Sequence, residues 1–306
     1  MPESPTRKEP LRGSNVGIDV VFVRHAAREA IDPERIKQGW SPPLTERGIQ
    51  ASREFGNVVL GSDIFAADQY SSVFFTGTSI ARTHQTAREI RRGAKFVPNT
   101  TVRERFPTKS GQDQDNLLRL QPGGKPWNNL KIETAVQAIK PGIEQKVFES
   151  LTAHGKQEFY EAAIAEIFDG LNHDSGKILT ALSRHLPEPV ALQEAISITT
   201  ALYDRFLDSD EAQAYSATAH EYLQKLKRTL SVLPNGKQLL IVGVTHDFNL
   251  AGMTKWFTGI ESLREIGGPP DFLSYLLFKL KTNELGEFHP QLYYNGRQFD
   301  YLPNRL

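Results

Sequence analysis

Two histidines far apart in the chain each close a short apolar run, and each has charged neighbours. Val20-Val21-Phe22-Val23 leads into Arg24-His25-Ala26-Ala27-Arg28, and Leu239-Leu240-Ile241-Val242-Gly243-Val244 leads through Thr245 into His246-Asp247. Guanidinium groups offer planar, paired donors that suit phosphate oxygens. A neutral imidazole between them can attack phosphorus, because the arginines neutralise the charge that repels a nucleophile. A carboxylic acid next to the second histidine can protonate a departing alkoxide. A third segment, Thr76-Gly77-Thr78-Ser79-Ile80-Ala81-Arg82-Thr83, sets Arg82 in the first turn of an expected helix, where anions are favoured. Each piece also has a plainer reading: solvated arginines around a strand-capping His25, Asp247 as the N-cap of a helix, and Arg82 as a surface residue.

The elements that would position these residues are legible. Short β-branched runs such as 18–23, 70–75 and 239–244 read as buried strands, and ligands of open α/β sheets bind beyond the carboxyl ends of the strands. Thr45 is a plausible N-cap for a helix to about Leu60, and a second helix is expected over Ile80 to Arg92. Strand, helix, strand, helix predicts a parallel sheet. Residues 106–130, rich in Gln, Asp, Asn, Gly and Pro, read as loop. From about Glu133 to Val232 the period is helical, with Phe159, Ala163, Ile164, Ile167 and Phe168 on one face and Leu223, Leu226, Leu230 and Leu233 on another. Pro234-Asn235-Gly236 marks a turn back to the sheet. Leu273 to Leu280 is strongly apolar, and Asn295-Gly296 between Leu292-Tyr293-Tyr294 and Gln298-Phe299 predicts a type I′ hairpin. The expected organisation is a flexible tail over 1–17, an α/β core from 18–110 and 232–306, and a mainly helical insertion or cap over 111–231.

Composition narrows the function classes. The 306 residues carry 36 Lys+Arg against 36 Asp+Glu, so there is no electrostatic reason to expect nucleic acid or an anionic membrane as partner. With 39% hydrophobic residues the chain has the make-up of a globular protein. It has no cysteine, which rules out thiolate nucleophiles, thiolate metal sites and disulfides. His84, His154, His173, His185, His220 and His289 have no ligand-like spacing, so no metal site is expected, and no glycine-rich loop suggests ATP. No apolar run approaches a membrane span of about 18 residues. The N-terminus lacks the pattern of a signal peptide, so the expected location is cytoplasmic, or secreted or periplasmic if a signal has been removed.

Together these segments resemble the histidine phosphatase superfamily. Arg24-His25-Ala26 is similar to that family's opening Arg-His-Gly, Leu44-Thr45-Glu46-Arg47-Gly48 to its Leu-Thr-x-x-Gly, and the stretch from Ser71-Ser72 to Thr86-Ala87 to its segment around the second arginine. The resemblance covers about 18–105 and 237–300. It implies a three-layer, phosphoglycerate mutase-like α/β core with a mainly parallel sheet. The helical insertion and the C-terminal hairpin would be added to that core.

Arg28, His246-Asp247-Phe248-Asn249-Leu250 and Gly267-Gly268-Pro269-Pro270 resemble the acid-phosphatase branch. By that resemblance His25 is the nucleophile, Arg24, Arg28, Arg82 and His246 bind phosphate, and Asp247 is the general acid. The implied activity is phosphomonoester hydrolysis through a phosphohistidine, on a small phosphorylated substrate and without a cofactor. The other branch places a glutamate near Glu104, a rival acid unless it pairs with Arg103 or Arg105. Ala26 replaces the usual glycine and would be strained if that site required positive φ. A phosphate-binding module without turnover is the non-enzymatic alternative. Ala30 replaces a usual proline, and acidic Glu29 and Asp32 argue against a highly charged substrate such as phytate. Nearby arginines should push the pKa values of His25 and Asp247 down, which predicts an acidic optimum.

Overall fold

The computed structural model of the protein describes residues 17–30, 35, 41–65, 69–106, 129–173, 176–230, 232–233, 237–282 and 288–301. The expected tail, the turn at Pro234-Asn235-Gly236 and most of the 106–130 loop lie outside them.

A seven-stranded mixed sheet organises the chain. Its strands are β1 (Gly17–Arg24), β2 (Ser72–Gly77), β3 (Thr101–Glu104), β4 (Gln238–Thr245), β5 (Tyr275–Thr282), β6 (Phe288–Tyr294) and β7 (Arg297–Phe299), in the order β3-β2-β4-β1-β5-β6-β7. The first four in that order are mutually parallel, and β5, β6 and β7 add on antiparallel. β3 was not foreseen: it is a four-residue edge strand with a single apolar residue, Val102. The hairpin is as predicted. Asn295 and Gly296 have φ of 46° and 83°, the left-handed pair that a type I′ turn requires.

β1 is buried on both faces, as a central parallel strand must be. Ile18, Val20 and Phe22 point to one side and Val21 and Val23 to the other. The second side is covered by α1 (Glu46–Glu54), which runs on as a π-helical turn over Phe55–Val59, and by α2 (Ala81–Gly93). Asp19 lies on this side as well, where Tyr70 donates to it and Lys279 approaches within 3.6 Å. Burial raises the Asp19 pKa, and these partners oppose the rise.

On the first side lie helices from the middle and end of the chain: α3 (Asn129–Ala153), α4 (Tyr160–His173), α5 (Gly176–Ser183), α6 (Glu188–Leu207), α7 (Asp210–Leu230) and α8 (Asp247–Thr258), of which α7 and α8 contact β1 and β5 while the others pack on one another. Of the predicted helical faces, Ala163, Ile164, Ile167, Leu223, Leu226 and Leu230 are buried, Phe168 and Leu233 are half-buried, and Phe159, in a short 3-10 turn before α4, is exposed. The buried ones belong to one apolar cluster with Ile18, Val20, Phe22 and Phe278 of the sheet. Burying each such side chain contributes about 1.5–3 kcal/mol, so the helical stretch and the sheet stabilise one another. Among the described residues, no helix is long and apolar enough to cross a membrane.

Candidate active site

Strand register brings the two histidines together. In the parallel pairing of β1 with β4, Arg24 lies opposite Thr245, so His25 and His246 emerge side by side. The His25 amide donates to the Thr245 carbonyl at 2.9 Å, which continues the ladder one residue further. β2 pairs with β4 up to Gly77 opposite Val244, and this puts Thr78 at the same carboxyl edge. The ring centroids of His25 and His246 are 5.4 Å apart.

The hydrogen bonds define the state of His25. Its Nδ1 lies 2.9 Å from the Ala26 carbonyl, which can only accept, so Nδ1 carries the proton. Nε2 is left with its lone pair, and the Arg82 Nε donates to it at 3.1 Å. Burial first, then Arg82, lower the pKa of His25 from 6.5 to about 3; the Ala26 bond opposes this and Arg24 adds to it. The imidazole is therefore neutral, with a nucleophilic nitrogen facing a guanidinium. Arg82 Nη2 also lies 3.4 Å from the His246 Nδ1, while His246 Nε2 is 3.2 Å from the Thr78 hydroxyl.

Asp247 is the first residue of α8, with His246 at the N-cap; the expected N-cap role for Asp247 is thus displaced by one residue. Its Oδ1 accepts from the Phe248 amide at 2.9 Å, and its Oδ2 pairs with Arg24 Nη2 at 3.1 Å. Burial alone would raise its pKa, but Arg24, His25 and the Phe248 amide outweigh burial and hold it well below the usual carboxylate range. Arg24 Nη1 donates to the Pro270 carbonyl at 2.5 Å, and Arg24 Nε is buried without a hydrogen-bond partner among the described residues. Such a donor lowers stability until an acceptor reaches it.

The loop that carries His25 is braced from several sides. Thr45 caps α1 by accepting from the Gly48 amide, and its own amide donates to the Ala27 carbonyl at 3.0 Å. A Cβ on Gly48 would stand 2.1 Å from that carbonyl, so the glycine of Leu44-Thr-x-x-Gly48 is required by close approach of α1 to the loop. The Thr86 hydroxyl accepts from the Ala26 amide at 3.1 Å. The non-glycine residues with positive φ among those described are Leu273 and Asn295, so Ala26 occupies its glycine-like place without the feared strain.

Five of the residues singled out from the sequence therefore converge: Arg24, His25, Arg82, His246 and Asp247. Arg28 is on the same loop, bridged through its backbone to Leu44, and its Nη1 donates to the Glu29 carbonyl at 2.9 Å. Glu104 ends β3. It pairs neither with Arg103 nor with Arg105 but with Arg91 at 2.5 Å and Arg88 at 3.7 Å, both on α2. Four further residues reach the site: Thr78 and Thr86, which stand in segments quoted from the sequence, and Tyr203 and Phe272, which do not. Tyr203 sits on the apolar face of α6, where only its hydroxyl, which hydrogen-bonds to Asp247, departs from a core role. Phe272 had no signal beyond its place before an apolar strand.

Comparison with known proteins gives one family-model match and a set of similar folds. The family model described as histidine phosphatase superfamily (branch 1) matches residues 20–118. No curated protein matches the sequence. Among solved structures, the fold is similar to the apo phytase of Hafnia alvei, at 12% identity over 91% of this chain and 84% of that one, with a TM-score of 0.56. It is also similar to the phytase of D. castellii, at 13% identity over 95% and 75% of the two chains, with a TM-score of 0.53. A third is the Bifidobacterium longum multiple inositol polyphosphate phosphatase in complex with inositol hexasulfate, at 10% identity over 98% and 89%, with a TM-score of 0.52. The family-model match thus takes in the segment that carries His25 and Arg82, and the structural neighbours show a similar fold over nearly the whole chain.

Proposed function

We propose that this protein is a phosphomonoester hydrolase that works through a phosphohistidine on His25, with Asp247 as general acid and base. The observation that carries the reading is the lone pair of His25 Nε2, held 3.1 Å from the Arg82 Nε in a buried, neutral imidazole. A phosphoryl group entering here would take over that donor and also meet His246 and the buried Arg24 Nε. Nε2 then attacks phosphorus, the P–O bond to the leaving group breaks, and the Asp247 proton passes to the departing oxygen. In the second step water attacks phosphorus, the P–N bond breaks, and the proton of the water returns to Asp247. Charge on the transferring group is stabilised by arginines already in position, the main source of rate in such reactions. Arg28 is assigned to phosphate by family resemblance alone.

The depressed pKa of Asp247 bears on the first step. Free of substrate, the carboxylate is ionised because Arg24 faces it. A bound phosphate dianion competes for the same guanidinium and adds negative charge nearby, and both effects raise the pKa of Asp247 toward the working range. An acidic optimum follows. Asp247 is favoured over Glu104 as the acid because it adjoins His246 and is paired with Arg24, the residue before His25, whereas Glu104 ends the edge strand β3 and is turned to Arg88 and Arg91 of α2. The matched family model is that of branch 1, whereas the acid assigned here is that of the acid-phosphatase branch.

The test is hydrolysis of p-nitrophenyl phosphate and of glycerol 2-phosphate by wild type, His25→Ala, Asp247→Asn and Glu104→Gln. His25→Ala should abolish turnover and acid-labile labelling. Asp247→Asn should slow the alkyl ester by roughly 10²–10⁴-fold and the aryl ester less, since a good leaving group needs little protonation. Loss of the alkyl activity in Glu104→Gln, with Asp247→Asn intact, would overturn the assignment of the acid.

A further inference from the structure

Resting on the phosphatase reading, we infer that Phe272 is a specificity-determining residue, the aromatic wall for the leaving group, and that it selects monoesters of flat aromatic alcohols. Phe272 is 39% exposed although it is a large hydrophobic residue, and its ring centroid lies 5.8 Å from that of His25. The Arg24 guanidinium sits over the ring, 4.3 Å from its centroid, and this is the same guanidinium that pairs with Asp247. Phe272 thus adjoins both the nucleophile and the cation that faces the acid.

The backbone holds the ring there at a cost. Leu273 has φ of 62°, a region that a bulky residue rarely occupies and that clusters at functional sites. The segment is fastened to Arg24 by three hydrogen bonds: Arg24 Nη1 to the Pro270 carbonyl, the Leu273 amide to the Arg24 carbonyl, and the Arg24 amide to the Ser274 carbonyl. The Phe272 amide is capped by Asp271 Oδ1 at 2.7 Å. A strained backbone, an exposed ring and a rigid frame meet at the mouth of the site. A ring left open to solvent at such a point offers an apolar, planar contact that a polyol leaving group cannot use and an aryl group can. The exposed carboxylate of Asp271 alongside disfavours leaving groups that carry further phosphates.

The experiment compares kcat/KM for 2-naphthyl phosphate and glycerol 2-phosphate in wild type, Phe272→Leu and Phe272→Tyr. Leucine keeps an apolar cover on Arg24 but removes the ring; tyrosine keeps the ring. The expected result is a roughly three- to tenfold loss on the naphthyl ester in Phe272→Leu, mostly in KM, with less than a twofold change on the glycerol ester and a preserved ratio in Phe272→Tyr. An equal loss on both esters means that Phe272 only buttresses Arg24, and overturns the inference, as does no change on either. A wild type inert toward both esters fails the phosphatase reading instead. In that case calorimetric binding of the same two esters decides the inference: a naphthyl preference that Phe272→Leu abolishes supports it, and equal affinities overturn it.

Discussion

The Tyr203 hydroxyl of α6 hydrogen-bonds to the Asp247 carboxylate at the start of α8, and the two helices are locked there by the Tyr203 ring stacked on Phe248, 4.0 Å between centroids and 4° between planes. Burial first, and then the Asp247 charge, push the Tyr203 pKa well above its ordinary value, so the hydroxyl keeps its proton and donates. The helical stretch therefore does more than cover the sheet: it supplies a group that touches the proposed acid.

That contact has a measurable consequence. A donor to the carboxylate favours its ionised form and lowers its pKa. In Tyr203→Phe the donor is gone while the stacked ring remains, so Asp247 should hold its proton to higher pH. The alkaline limb of the kcat profile, which reports the substrate complex, should then move up by roughly half a unit to one unit, the worth of one ordinary hydrogen bond. A merely structural role would lower stability and leave the limb where it is.

His25 makes the stability of the protein depend on pH. Its folded-state pKa is about 3 against 6.5 for an ordinary histidine, so between those values the unfolded chain binds a proton that the folded chain does not. Stability contributed by the neutral ring is complete above pH 6.5 and is lost as the pH falls toward 3, by an amount on the order of a few kcal/mol. Urea unfolding of wild type and His25→Gln at pH 7 and pH 4 checks this. Wild type should lose more stability between the two than the variant does. Equal losses would mean that the histidine is not held neutral.

Gly48 tests the bracing of the His25 loop. In Gly48→Ala the new Cβ would stand 2.1 Å from the Ala27 carbonyl, and backbone faces it rather than a flexible side-chain end. Either α1 or the loop must move. The expected outcome is a melting temperature lower by several degrees, for a cost of roughly 1–3 kcal/mol, together with a kcat/KM at least tenfold lower as His25 and Ala26 shift. Gly142→Ala is the control, since a Cβ there meets nothing within 4 Å. A Gly48→Ala variant with wild-type turnover would show that the brace does not position the proposed nucleophile.

Much of this molecule was legible before folding. Apolar runs at 18–23 and 239–244, the Thr45 cap, the helical period of the middle segment and the Asn295-Gly296 turn all become the elements they foretell, because local periodicity and turn chemistry act over a few residues. The edge strand β3 escaped, since pairing with β2 and not its own pattern makes Thr101–Glu104 extended. The types and positions of His25, Arg82, His246 and Asp247 were likewise legible as candidates, each with a plainer reading alongside.

The sequence by itself determined the chemistry on offer: two imidazoles, arginines and carboxylates at strand ends, and no thiol. Only the tertiary structure decided which of them work together. The register of β1 on β4 places His25 beside His246 across 221 residues of chain. Packing of α2 against β3 commits Glu104 to Arg88 and Arg91, and the buried stack of α6 on α8 brings Tyr203 to Asp247. These are non-local pairings, fixed by sheet register and by which apolar faces find each other, and no short stretch of sequence carries them.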